Sequence, residues 1–211
     1  EFLGLLTPQY VDDLISWFAI GARTVESQPH REMASGLSMP GGFKNSTYGD
    51  EQVAIDAIIA SRGEHYFVGG DIDRNYAIMP TTGNPDTHII LRGGNGTPNY
   101  GSEAVQRVIR LCEEANGGIR PNIMIDCSHA NSGKDHLKQP DVFMNVVGQK
   151  AEGTYQIIGT MLESNLYAGN QKIDGDKYGV SRTDKCMDWD TTNRIVRAGS
   201  DLLRASRLGE A

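Results

Sequence analysis

The sequence predicts an α/β fold on a parallel sheet and, within that class, a TIM-type (β/α)8 barrel. Short apolar runs alternate with amphipathic helical patterns along the whole chain, which is the signature of βαβ units. The apolar runs also end on residues able to do chemistry. Arg23, Lys44, Arg92, His129 and Glu163 all stand at or just past the C-terminal ends of predicted strands. In a closed barrel those ends converge on one face, whereas an open sheet spreads them along a crevice. About five strand–helix units are present where eight close a barrel, and the apolar runs alone leave that shortfall open.

Each element has its own warrant. Trp17 to Ala22 reads as a buried strand running out at Arg23, followed by a helix over Gln28 to Ser35. Gly41-Gly42-Phe43 is a short strand ending at Lys44-Asn45. Glu51 to Ala60 carries Val53, Ala54, Ala57 and Ile58 at helical spacing. His65 to Val68 reads as a strand. Ala77 to Met79 is its antiparallel partner across a Gly/Asp turn region. His88 to Leu91 is a strong strand that stops at Arg92-Gly93-Gly94. Ser102 to Asn116 is the clearest helix, with Val105, Val108, Ile109 and Cys112 on one face. Asn122 to Asp126 and Tyr155 to Met161 are strands separated by a helix over Asp141 to Lys150. A last helix starts at Thr191 or Thr192 and runs toward Arg207, with Ile195, Val196, Leu202 and Leu203 as candidate core.

The chain has 211 residues, with Lys+Arg 20 against Asp+Glu 27 and a net charge of −7. That length suits one large domain or two small ones and can bury a sizeable core. The acidic balance argues against nucleic acid or an anionic membrane as partner, but a local cluster of cations can still dominate one pocket. No apolar run is long enough to cross a bilayer. The N-terminal EFLGLLTPQY lacks the basic region and apolar core of a secretion leader. Cys112, Cys127 and Cys186 form a sparse, odd set without metal-type spacing, so a reducing, cytoplasmic compartment is expected. The sequons at Asn45 and Asn95 therefore carry little weight.

Arg23, Lys44 and Arg92 at successive strand ends suit an anionic, phosphorylated ligand, because guanidinium forks and an ammonium both match phosphate or carboxylate. Any one of them alone reads as a surface charge. Gly93-Gly94 allows close backbone approach to a ligand, or is an ordinary tight turn. No Walker loop or GxGxxG occurs. His129, Glu163 and Asp184 form a second group. One imidazole and two carboxylates suit a divalent Mn, Fe, Co or Zn with open positions for substrate, although a lone His is more often structural. Cys127, two residues before His129, is conceivable as half of a Cys–His pair, but a small buried thiol is the favoured reading. Cys112 reads as core, and Cys186 lies near Asp184.

These residues sit in motifs that resemble the first class of 3-deoxy-D-arabino-heptulosonate 7-phosphate (DAHP) synthases. The matching stretches include Ile20-Gly21-Ala22-Arg23-Thr24, Gly36-Leu37-Ser38-Met39-Pro40, Gly42-Phe43-Lys44-Asn45 and Leu91-Arg92-Gly93-Gly94. They continue with Ser128-His129-Ala130-Asn131-Ser132, Met161-Leu162-Glu163-Ser164 and Thr183-Asp184-Lys185-Cys186. The resemblance implies a (β/α)8 barrel transferase of the shikimate pathway, which condenses phosphoenolpyruvate with erythrose 4-phosphate. It implies that Glu1, Ala22, Arg23, Lys44 and Arg92 bind phosphoenolpyruvate, and that His129, Glu163 and Asp184 hold a divalent metal. Lys44 and His129 are then the catalytic candidates. Pro8, Gln9 and Ser38 match a pocket for an aromatic amino-acid effector, and a homo-oligomer is implied as well.

Residues 1–211 are thus expected to form a single catalytic barrel domain, roughly barrel strands 4–8, lacking the family's N-terminal strands. Asn45-Ser46-Thr47-Tyr48-Gly49 and Tyr167-Ala168 depart from the family's usual loops. Two alternatives stand beside the synthase reading. One is a sugar-phosphate aldolase using Lys44 as a Schiff base. The other is a non-catalytic homologue that binds phosphorylated ligands.

Overall fold

The computed structural model describes residues 1–71, 73, 75–115 and 118–209, without the side chain of Gln9. In chain order the elements are α1 (Pro8–Val11), β1 (Phe18–Ile20), α2 (Gln28–Ser35), β2 (Gly41–Lys44), α3 (Gln52–Ser61), β3 (Tyr66–Gly70) and β4 (Tyr76–Pro80). They continue with β5 (Thr87–Leu91), α4 (Ser102–Glu114), β6 (Ile123–Asp126), α5 (Gln139–Ala151), β7 (Ile157–Met161) and α6 (Trp189–Leu208). The chain divides into two compact units, one of Glu1–Ile90 with Arg107–Asn122 and one of Leu91–Gln106 with Ile123–Ala211. The fold is mixed α/β, with parallel strand pairing in both units.

In the first unit β2 lies between β1 and β5. Phe18 pairs with Gly41 and Ile20 with Phe43, while Gly41 pairs with Thr87 and Lys44 with Ile90. Every residue of these three strands is buried. That is why they read as continuous apolar runs without alternation, as parallel strands covered on both faces do. The glycines of β2 are dictated by contact. A Cβ on Gly41 would collide with the Phe18 ring, and one on Gly42 with the Ile90 side chain and the His88 ring.

The expected antiparallel pair is present, with Tyr66 opposite Pro80 and Gly70 opposite Tyr76. Its alternation is that of a ribbon wetted on one side: Tyr66, Val68, Tyr76 and Ile78 are exposed, while Phe67 and Met79 are half-buried.

In the second unit β6 and β7 pair in parallel, with a bulge between Ile123 and Met124 and Asp126 opposite Met161. The bulge shifts register just before the strands reach their functional ends. Helix α5 packs on α6, where Gly199 leaves room for the Phe143 ring. The buried face of α4 is the expected one: Val105, Val108, Ile109 and Cys112. The far end of its expected range, Asn116, lies outside the described residues.

Several element boundaries need correction. Strand β1 is confined to Phe18–Ile20, since Trp17, Gly21 and Ala22 lie outside the ladder. Helix α5 begins two residues early, at Gln139, with Pro140 in its first turn, a position that has no intrahelical N–H bond to lose. Helix α6 begins at Trp189 because the Asp188 carboxylate accepts from Thr191 N at 2.6 Å, a side-chain N-cap. On α6, Ile195 is buried, Leu203 half-buried, and Val196 and Leu202 exposed. Ile195, Gly199 and Leu203 recur every four residues on one face, and Val196 and Leu202 fall off that stripe.

Candidate metal and anion sites

The second unit gathers the imidazole and both carboxylates of the expected trio. Strand β6 ends at Asp126, and three residues later His129 opens a short 3-10 turn, His129–Asn131. Glu163 stands two residues past the end of β7, and Asp184 lies in the segment before α6. One ligand atom from each of His129, Glu163 and Asp184 lies within 4.8 Å of the others. His129 Nε2 is 3.5 Å from Glu163 Oε1. Three donors of this kind, mixed imidazole and carboxylate, suit a divalent transition ion with positions left for substrate.

The cluster is braced from behind. His129 Nδ1 faces Asp126 Oδ2 at 2.8 Å, and Ser128 Oγ donates to Glu163 Oε2 at 2.8 Å. His129 adopts φ +49°, a left-handed conformation that costs free energy in an L-residue and persists where the surroundings over-determine it. Asn131 supplies part of that constraint. Its Nδ2 donates to Asp126 O at 2.9 Å and Leu91 O at 3.1 Å, and its Oδ1 accepts from Asn99 N at 2.7 Å. The supporting roles of Asp126 and Gln139 were not read from the sequence. The available signal was the position of Asp126 as the last residue of an otherwise apolar strand.

The cations divide between the units. In the first, Lys44 closes β2 and is buried, with Nζ 3.5 Å from Glu1 Oε2. Glu1 reaches this position because Gly21 has no side chain; a Cβ there would collide with the Glu1 carboxylate. Ala22 and Arg23 lie in the turn after β1, Ala22 half-buried and Arg23 exposed. In the second unit Arg92 is 8% exposed, and its Nη1 donates to Gly93 O at 3.3 Å. Gly93 takes φ +66° and donates from its backbone N to Asn99 Oδ1 at 2.6 Å. The structure thus joins Lys44 to Glu1 and anchors Arg92 in an Asn-braced turn. At both buried cations an anion is screened less than at the surface.

The thiols behave as small hydrophobic groups. Cys127 is fully buried and its Sγ lies 3.8 Å from Ile125 O; burial, then the Asp126 charge, pushes its pKa up. That environment suppresses the thiolate and excludes the Cys–His nucleophile reading. Burial pushes Cys112 up to about 11. Half-exposed Cys186 is also raised, first by burial, with the Glu163 and Asp184 charges adding to it.

A cavity of about 150 Å³ lies in the first unit, lined by Pro8, Met33, Leu37, Phe67, Gly69 and Met79 among others. Ser38 is exposed beside Leu37, which lines the cavity in its stead. The Gln9 side chain lies outside the described residues. Phe67 and Met79 come from the antiparallel ribbon and were missed, because only its pairing links them to Pro8.

The DAHP synthetase I family matches residues 1–197. The chain is 51% identical over 201 residues to the Tyr-sensitive phospho-2-dehydro-3-deoxyheptonate aldolase of Escherichia coli K12, covering 93% of this chain and 56% of that protein. It is 49% identical over 210 residues to the Phe-sensitive enzyme of the same organism, covering 98% and 59%. A solved phospho-2-dehydro-3-deoxyheptonate aldolase from Francisella tularensis SCHU S4 superposes with a TM-score of 0.91 at 45% identity, over 97% of this chain and 60% of that one. The chain spans a little over half the length of these relatives. By both sequence and structure, it belongs to the DAHP synthetase I family.

Proposed function

We propose that this chain carries the metal-binding and anion-binding half of a DAHP synthase, which condenses phosphoenolpyruvate with erythrose 4-phosphate and releases phosphate. The observation that carries the reading is the convergence of His129, Glu163 and Asp184 within 4.8 Å in a chain whose relatives bear that enzyme's name. In this reading β1, β2, β5, β6 and β7 are strands 4–8 of one barrel, and the protein is a cytoplasmic homo-oligomer.

A divalent ion of the Mn, Fe, Co or Zn class, held by His129, Glu163 and Asp184, supplies Lewis-acid polarisation of the sugar aldehyde when bound. The chain's own residues do the rest. Arg23, Lys44 and Arg92 fix the phosphate and carboxylate of phosphoenolpyruvate, with Ala22 and Glu1 lining its site, and that orientation converts an encounter into a positioned reaction. Carbon 3 of the enol bonds to the aldehyde carbon. Water adds at carbon 2, and the carbon–oxygen bond to phosphate breaks. Lys44 and His129 are the groups placed to hold or move protons during these steps. The cavity bordered by Pro8 and Phe67 is read as the aromatic amino-acid effector site, with Ser38 beside the lining residue Leu37.

The test is phosphate release from the two substrates, with and without Mn²⁺. The expected result is release that needs both substrates, stops on chelation and falls at least about 100-fold in Lys44→Ala. Release that persists after complete metal removal overturns the reading.

A further inference from the structure

We propose that Ser128 sets the metal preference of the cluster, because its hydroxyl holds one carboxylate oxygen of Glu163 and leaves the other as that residue's single ligand atom. This inference rests on the reading of His129, Glu163 and Asp184 as metal ligands. Ser128 takes no part in ligation and acts as a positioning residue.

The two oxygens of the Glu163 carboxylate have separate neighbours. Ser128 Oγ donates to Oε2 at 2.8 Å, while Oε1 stands 3.5 Å from His129 Nε2. Ser128 is buried and immediately precedes His129, so one short segment positions two of the three donors. Its hydroxyl is aimed by the backbone. Ser128 N donates to Asp126 Oδ1 at 3.0 Å, and Cys127 N donates to Met161 O at 2.9 Å, which ties the turn to the end of β7. Glu163 O accepts from Met187 N at 3.0 Å. The Glu163 side chain is 27% exposed, and a long side chain loses much rotamer freedom when it is fixed. A hydrogen bond to the ionised carboxylate offsets that loss before an ion arrives.

A carboxylate that gives an ion one oxygen fills one coordination position, and one that gives both fills two. Ca²⁺ takes about six to eight oxygens and accepts bidentate carboxylates. Transition ions that suit imidazole bind with fewer ligands and keep positions open for substrate. By engaging Oε2, Ser128 keeps the cluster small, which favours a transition ion over Ca²⁺.

The test reads the carboxylate directly. Infrared difference spectra are taken with and without Co²⁺, on protein whose glutamate carboxylates are isotope-labelled. The asymmetric and symmetric carboxylate stretches lie far apart for one-oxygen ligation and close together for two-oxygen ligation. The unaltered protein is expected to show the wide splitting. In Ser128→Ala the splitting is expected to narrow and the Co²⁺ dissociation constant to rise by about 10- to 100-fold. The ratio of the Ca²⁺ to the Co²⁺ dissociation constant is then expected to fall at least about tenfold. A narrow splitting in the unaltered protein overturns the proposal without requiring any variant to fold. So does a Ca²⁺ to Co²⁺ ratio in folded Ser128→Ala that stays within about twofold of the unaltered protein. Failure of the unaltered protein to bind Co²⁺ at all overturns the metal reading itself, and the role of Ser128 falls with it.

Discussion

Gln139 grips the backbone of Glu163 from both sides: its Oε1 accepts from Glu163 N at 2.9 Å, and its Nε2 donates to Glu163 O at 3.3 Å. A side chain at the start of α5 thereby fixes the residue that follows β7, and Glu163 is held in place whether or not an ion is present. Gln139→Leu keeps the volume but leaves a donor and an acceptor unmet. The expected loss is about 2 kcal/mol of unfolding free energy, measured by urea titration, together with weaker Co²⁺ binding. Unchanged stability and unchanged metal affinity would mean that the clasp is idle.

His88 makes stability depend on pH. Burial lowers its pKa to about 4, and its Nε2 accepts from Trp17 Nε1 at 3.2 Å, a bond that needs the neutral ring. The unfolded chain binds a proton near pH 6.5 and the folded one does not. Protons therefore favour the unfolded state, and stability falls as pH drops from about 6.5 toward 4. This group's share of the loss between pH 7 and pH 5 is about 2 kcal/mol at most. Replacing His88 by Phe is expected to flatten that part of the stability–pH curve, which urea midpoints across the range would show.

Gly93 carries two constraints at once. Its φ of +66° disfavours any side chain, and a Cβ would lie 2.7 Å from Thr97 O and 2.9 Å from the Ala130 Cβ. Gly93→Ala is expected to cost about 2 kcal/mol and to lower the melting temperature by roughly 4–8 °C for a chain of this size. The same turn anchors Arg92, so on the proposed reading phosphoenolpyruvate affinity should fall as well, as calorimetry can read. A variant with unchanged melting temperature would contradict the close approach.

The three thiols should separate cleanly. Cys186 is half-exposed, whereas Cys112 and Cys127 are buried with raised pKa values, and a thiol's reactivity follows its thiolate fraction and its access. A disulfide reagent at pH 8 is expected to label one thiol in the native protein, with mass mapping to Cys186, and all three in denaturant. Rapid native labelling of Cys127 would show that β6 opens.

What could be read from the sequence was whatever lies along one strand or one helix. The apolar runs of β5 and β6 and the periodic face of α4 were plain, and so was the placement of Lys44, Arg92, His129 and Glu163 at strand ends. What could not be read depends on partners distant in sequence. Asp126 looks like the polar end of a strand until His129 folds back over it. Gln139 looks like a solvated helix start until Glu163 arrives. Phe67 joins Pro8 in one cavity only through the ribbon, and Val196 looks like core until Ile195 and Gly199 define the stripe. The Asp188 cap shifted a helix start that composition alone had put at the threonines.

The contact between Trp17 and His88 has an optical consequence. The chain has two tryptophans. Trp17 belongs to the first compact unit and Trp189 to the second. Trp17 is half-buried against a neutral imidazole, its ring centroid 5.9 Å from that of His88, whereas Trp189 is 60% exposed. Each unit thus holds one tryptophan in a distinct environment, a shielded indole in one and a hydrated indole in the other. With either Trp replaced by Phe, and excitation at the red edge of the indole band where tyrosine does not absorb, the remaining tryptophan emission follows one unit alone. Comparing the two unfolding midpoints then shows whether the halves of the chain melt as one cooperative body or in succession.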